Sequence, residues 1–182
     1  MNKGQRYTVL INLLETLAKR GSWCGETHIQ KAVFLLQEVA AVKTGFEFIL
    51  YKHGPFSFDL RDALSELSAE GLIEYVVRDP NYGPSVVVAG EAKSFIKRFP
   101  KTEKRYAKQI NFVAESVGSR GVAELERLGT AVFVVNRYAH LEPGERANEI
   151  VELKPHVSIL EAKAAVREAE NLVTQGTTEF QG

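Results

Sequence analysis

Histidine and cysteine are the residue types best able to do chemistry here, and their spacing argues against it. His28, His53, His140 and His156 form no HExxH motif, and no two of them lie three or four residues apart. No helix face therefore offers a metal two imidazoles. Cys24 precedes His28 by four residues but falls before the expected start of a helix, so the two share no helix face. A lone cysteine beside Trp23 reads as a small apolar filler. One cysteine also excludes an internal disulfide and a multi-cysteine zinc site. The acidic residues include no pair of Glu-x-x-His motifs for a carboxylate-bridged metal. GxxxxGK[ST], GxGxxG and GxSxG are absent. The expectation is a protein that is not an enzyme and that holds no metal and no cofactor.

Charge points to binding instead. The 182 residues carry 23 Lys+Arg and 23 Asp+Glu, so the net charge is zero, without the basic excess usual for a nucleic-acid binder. Locally the balance is uneven. Asp59, Asp62, Glu66 and Glu70 repeat at helical spacing along one stripe, and Arg61 is the single base between Asp59 and Glu74. Such a stripe would repel the phosphate walls of a DNA groove. The outward face of the same helix centres on Phe58, Ser65 and Ala69, small residues beside an aromatic, which suit a protein partner better than base edges. A solvated acidic face on a scaffold domain has equal standing. Conversely, Lys93, Lys97, Arg98, Lys101, Lys104, Arg105 and Lys108 are opposed only by Glu103. This patch could meet nucleic acid or an acidic partner, could pair with the acidic stripe, or could be a plain solvated helix face, the reading base composition favours. Phe95, Phe99 and Tyr106 among these cations fit core positions rather than a stacking platform.

The densest functional candidate is Tyr51-Lys52-His53-Gly54-Pro55-Phe56-Ser57. Gly-Pro sets a tight turn, Ser57 can cap the helix that follows, and aromatic and cationic groups on a rigid turn are common interface anchors. Lys52 and His53 are expected to be exposed; Phe56 and Phe58 are expected to plug the gap between strand and helix.

The elements that carry these residues follow from periodicity. Helices are expected over Gln5–Arg20 and from Thr27 to Gly45, the latter opened by a Thr27/Gln30 capping box and buried on most sides. A strand is expected over Phe46–His53, a third helix over Ser57–Glu70, and a β-hairpin from Leu72 to Ala89 with its tip at Asp79–Pro84. Helices then follow at Glu91–Phe99 (closed by Pro100), Thr102–Val117, Val122–Ala139 and Ala147–Leu153. A capping box at Ser158/Glu161 opens another, and Gln175–Gly182 is expected to fray. The order predicts a mainly α protein with a small β-hairpin: a winged-helix-like domain over residues 1–99 and a C-terminal helical region over 100–182, packed together as one structural unit. About a dozen residues with a strand separate the second and third helices, where a standard helix-turn-helix has a short turn. No apolar run approaches the ~20 residues of a bilayer span, and the N-terminal apolar stretch is too short for a signal peptide. No membrane partner and a cytoplasmic location are expected.

Thr27-His28-Ile29-Gln30-Lys31, Val33-Phe34-Leu35-Leu36-Gln37, the Tyr51–Ser57 turn and the phrase Leu64–Ile73 together resemble the Panacea domain of SocA-like antitoxins and the related YwgA-like bacterial proteins. Glu124–Val132 and Leu153-Lys154-Pro155-His156 resemble the YwgA-like branch, and His53 stands where the family often has tyrosine. The resemblance implies a winged-helix-like, mainly helical domain without catalytic residues. It further implies a protein partner, a toxin or a protease component.

Two principal functions remain. One is a protein-binding module, antitoxin- or adaptor-like, that contacts its partner through Tyr51, Lys52, His53, Phe58, Arg61, Asp62, Ser65, Glu66 and Ala69. The other is a transcriptional regulator whose Lys93–Lys108 helix meets phosphates. A weaker third is a small-molecule sensor with a pocket between the winged part and the C-terminal helices. A homodimer is compatible with each.

Overall fold

Helix 1 opens where Asn2 and Gln5 satisfy each other's backbone N–H groups, at 2.9 and 3.0 Å. The computed structural model describes residues 1–181. They form α1 (Lys3–Lys19), α2 (Glu26–Glu38), β1 (Ile49–Tyr51), β2 (Gly54–Phe56), α3 (Phe58–Ala69), β3 (Ile73–Val76), β4 (Ser85–Val88), α4 (Ala92–Ile96), α5 (Pro100–Val117), α6 (Val122–Arg137), α7 (Pro143–Leu153) and α8 (Ile159–Phe180). The chain is 63% helical with two small antiparallel hairpins. The succession α1, α2, α3, β3, β4 is the element order of a winged helix, with an extra hairpin, β1–β2, inserted between α2 and α3.

α2 is the axis of the molecule. Every residue from His28 to Leu36 is buried, because α5, α6 and β2 all pack on it. α1 lies against α5 and β4, and α8 covers α6 and α7. Buried side chains from Tyr7 to Leu172 form one hydrophobic cluster that crosses residue 100 without interruption. The two regions thus share one core.

Four expectations are corrected. Thr27 and Gln30 form no capping box: α2 starts at Glu26 behind Gly25, and the Gln30 side chain turns inward. Phe46–His53 is not one strand. Burial does alternate from Val42 to Phe48, but β1 is confined to Ile49–Tyr51. The preceding extended segment hydrogen-bonds to a side chain instead of a neighbouring strand: Gln37 Nε2 donates to the Phe46 carbonyl (3.1 Å), and the Thr44 hydroxyl donates to Gln37 Oε1 (2.6 Å). Pro100 does not close a helix but opens α5, where its missing N–H costs nothing. The tail is helical through Phe180. Gly176 is buried where any Cβ would strike the Val39 carbonyl, and Phe180 packs edge-on against Phe112 at 5.3 Å. Gly182 lies outside the described residues.

Candidate functional site

The Tyr51–Ser57 segment is a two-residue hairpin turn at Lys52–His53, with Tyr51 paired to Gly54 and Ile49 to Phe56. The sharp bend sits at Lys52–His53 rather than at Gly-Pro. Gly54 has φ +84°, a conformation that disfavours any L side chain, and it abuts Thr130, the Glu126 carbonyl and the Lys31 side chain. Gly129 on α6 likewise admits Pro55 and Lys31 at close range. The hairpin therefore lies flush between α2 and α6.

Three polar clamps fix it. Gln30 Nε2 donates to the Ser57 carbonyl and Gln30 Oε1 accepts from the Ser57 N–H, both at 2.9 Å and fully buried. The Ser57 hydroxyl in turn accepts from Leu60 N–H and caps α3. At the turn, Lys154 Nζ donates to the carbonyls of Tyr51 (2.8 Å) and Lys52 (2.6 Å). Glu126 Oε1 lies 2.8 Å from His53 Nδ1. Gln30 and Lys31 of α2, Glu126 of α6 and Lys154 after α7 thus converge on the hairpin.

Lys31 stands at the centre of that place. It is 1% exposed, and its ammonium has no ion-pair or hydrogen-bond partner among the described residues; Glu126 and Glu26 reach it only through space. Burial pulls its pKa down to about 8, opposed by Glu126. Burial also lowers the pKa of Lys154. Sequence reasoning assigned no role to Lys31, Glu126 or Lys154. For Lys31 the signal was present: a cation inside the apolar run Ile29–Leu36 of a helix expected to be buried on most sides.

The hairpin presents an aromatic knuckle. Tyr51, Phe56 and Phe58 stack pairwise with ring centroids 5.1 to 6.0 Å apart. Tyr51 is 53% and Phe58 43% exposed, and Arg61 lies over the Phe58 ring at 5.1 Å. The two phenylalanines do not simply plug a gap: Phe56 is half-buried and Phe58 looks outward. Lys52 and His53 are exposed.

The acidic stripe divides. Asp59 and Asp62 face solvent, as do Arg61, Ser65 and Ala69. Glu66 accepts from the buried Tyr7 hydroxyl and pairs with Lys3 at 3.1 Å, and Lys3 reaches Glu70 at 3.4 Å. The Tyr7 and Lys3 contacts hold the Glu66 carboxyl below its ordinary pKa. Burial, reinforced by Glu66, pushes the Tyr7 phenol up to about 12. Two of the four carboxylates therefore tie α3 to α1 while staying partly exposed.

Lys93, Lys97, Arg98, Lys101, Lys104, Arg105 and Lys108 are all exposed, and none has an acidic partner within 4.0 Å among the described residues. They do not pair with the stripe on α3, which recruits Lys3 instead. Arg98 covers Phe95 and Phe99, and Arg105 covers Tyr106; Phe95 and Tyr106 are half-buried against the core, and Phe99 lies against Gly4. Lys93 also borders, with Lys19 and Arg78, a groove of about 420 Å³ between α1 and β4.

Cys24 is buried, and burial raises its thiol pKa, the surroundings of a packing residue rather than a nucleophile. No group of three or more His, Cys, Asp or Glu among the described residues is placed to hold a metal ion. Among the described residues, no helix is long and apolar enough to cross a membrane. No protein-family model matches the chain, and no curated protein matches it.

Proposed function

We propose that the chain is a non-enzymatic protein-binding module, antitoxin- or adaptor-like, that grips its partner with the Tyr51–Phe56–Phe58 knuckle and the outer face of α3. The observation that carries this reading is the exposure of stacked rings on a hairpin clamped at three points. Aromatic side chains held rigid lose little entropy on association and dominate interface energies. Asp59 and Asp62 beside them suit a partner surface that sets cations around an apolar centre. The resemblance to the Panacea domain points to a toxin or a protease component as that partner, in the cytoplasm of a bacterial cell.

The test uses the partner captured from host extract. Phe58→Ala and the pair Asp59→Lys with Asp62→Lys should each weaken capture about 10- to 30-fold. The double charge reversal should leave the thermal midpoint near wild type, whereas Phe58→Ala, which gives up its stacking on Tyr51 and Phe56, should lower it by about 2–5 °C, so capture is compared at a temperature where each variant is folded. Capture equal to wild type would remove this face from consideration. Asp62 is reversed with Asp59 and not with Glu66, because reversing Glu66 would also break its contacts to Tyr7 and Lys3.

One observation favours a second reading, a transcriptional regulator: the seven cations from Lys93 to Lys108, which have no acidic partner among the described residues, with Lys19 and Arg78 beside Lys93 at the groove. On that reading, affinity for duplex DNA measured by fluorescence anisotropy should fall by about 10³ between 50 and 200 mM salt. Absence of binding at low salt would end it.

A further inference from the structure

Beneath the Lys52–His53 turn lies a cavity of about 150 Å³, lined by Glu26, Thr27, Lys31, Tyr51, His53, Gly54 and Phe56. Lys31 is among its lining residues; it is 1% exposed and its ammonium has no ion-pair or hydrogen-bond partner among the described residues. An ammonium held this way is costly to keep charged, and an anion in the cavity would offset that cost directly. Thr27 is a further polar residue of the lining, and Tyr51 and Phe56 supply an apolar side. A cavity of ~150 Å³ accepts a ligand of about six non-hydrogen atoms. Glu26 at the rim and Glu126, paired with His53, lie close enough to act on Lys31 through space. They would repel a second negative charge, which disfavours a phosphate dianion.

We propose that this cavity binds a small monocarboxylate, with its carboxylate on the Lys31 ammonium and its hydrocarbon part against Tyr51 and Phe56. Two rings of the knuckle, Tyr51 and Phe56, line the cavity, whereas Asp59 and Asp62 do not, so the carboxylates of α3 separate this inference from the protein-binding reading.

Butanoate, with six non-hydrogen atoms, is the probe, titrated into the full chain by calorimetry and by thermal denaturation at pH 7. Saturable binding should appear, and ten times the dissociation constant should raise the midpoint by about 3–5 °C. Lys31→Met should cut affinity at least tenfold. The pair Asp59→Lys with Asp62→Lys should leave it unchanged, since neither residue lines the cavity, so failure here and failure of the protein-binding reading are separable. Affinity should fall about tenfold from pH 8 to 9.5 as Lys31 loses its proton. Glu26, Tyr51, His53, Glu126 and Lys154 are the other titratable groups facing Lys31, and the same pH series on Lys31→Met reads their share. No saturable effect, undiminished binding by Lys31→Met, equal binding of neutral butanamide, or tighter binding of inorganic phosphate would each overturn the proposal.

Discussion

Replacing Lys31 with methionine is expected to stabilise the chain by about 3 kcal/mol at pH 7, a rise of roughly 5–10 °C in thermal midpoint. The lysine pKa falls from 10.5 to about 8 in the folded protein, chiefly through burial. At about 1.4 kcal/mol per unit, that shift is the cost of keeping the ammonium charged inside. Methionine has a similar length, no charge and the flexibility to fill the same channel between Gly54 and Gly129. The sign also dictates a pH window. Below pH 8 both folded and unfolded wild type carry the charge, and the full penalty applies. Between about 8 and 10.5 the folded chain has lost a proton that the unfolded chain keeps, so wild-type stability rises relative to the variant. The advantage of Lys31→Met should therefore shrink through that window and vanish above it. Cys24, Tyr7 and Tyr75, whose pKa values are raised, pull the other way at high pH, but they do so in both proteins and cancel in the difference. Thermal scans of both proteins from pH 6 to 11 check this. A variant less stable than wild type at pH 7 would show that Lys31 has a compensating partner.

How the fold was legible in the sequence differs from element to element. The spacing of Val9, Leu10, Leu13, Leu14 and Leu17, and the apolar run Ala32–Leu36 of α2, place the first two helices because burial on a helix imposes a 3.6-residue period. The Ser158/Glu161 box starts α8 where expected, because both groups are exposed and have no competing partner. Thr27 and Gln30 show the same spacing and fail, because Gln30 finds a better partner 27 residues away. Spacing reports only what a side chain could do locally. The alternation from Val42 to Phe48 is a true signature of extended backbone with one face buried, yet it cannot distinguish a strand from a segment fastened by Gln37. Of the site, the exposure of Lys52 and His53 and the Ser57 cap were legible, since they depend on local chain geometry, whereas the bend lies at Lys52–His53 and not at the expected Gly54-Pro55, which pairs as a strand. The roles of Glu126 and Lys154 were not, because they lie about 70 and 100 residues further along the chain and meet the turn only through tertiary packing.

Gln30→Leu should act in the opposite direction to Lys31→Met, although the two residues are adjacent, polar and equally buried. Gln30 satisfies both backbone groups of Ser57, which is itself 0% exposed and caps α3. Leucine fills the volume but strands the buried Ser57 N–H, while the Ser57 carbonyl keeps the Arg61 N–H at 3.3 Å. The expected loss is about 1–3 kcal/mol, seen as a lower urea midpoint at an unchanged m-value. A loss under 1 kcal/mol would mean that water or a shifted α3 satisfies the Ser57 N–H. Gln30→Glu separates the two contributions, since a carboxylate can accept from the Ser57 N–H but faces the Ser57 carbonyl without a donor. Because Gln30 fixes the end of the hairpin and Lys31 packs under its start at Gly54, the two changes are coupled through one rigid segment. The double variant should therefore fall below the sum of its parts: a hairpin released by Gln30→Leu already lets water reach Lys31, and methionine then has less of a buried charge to relieve.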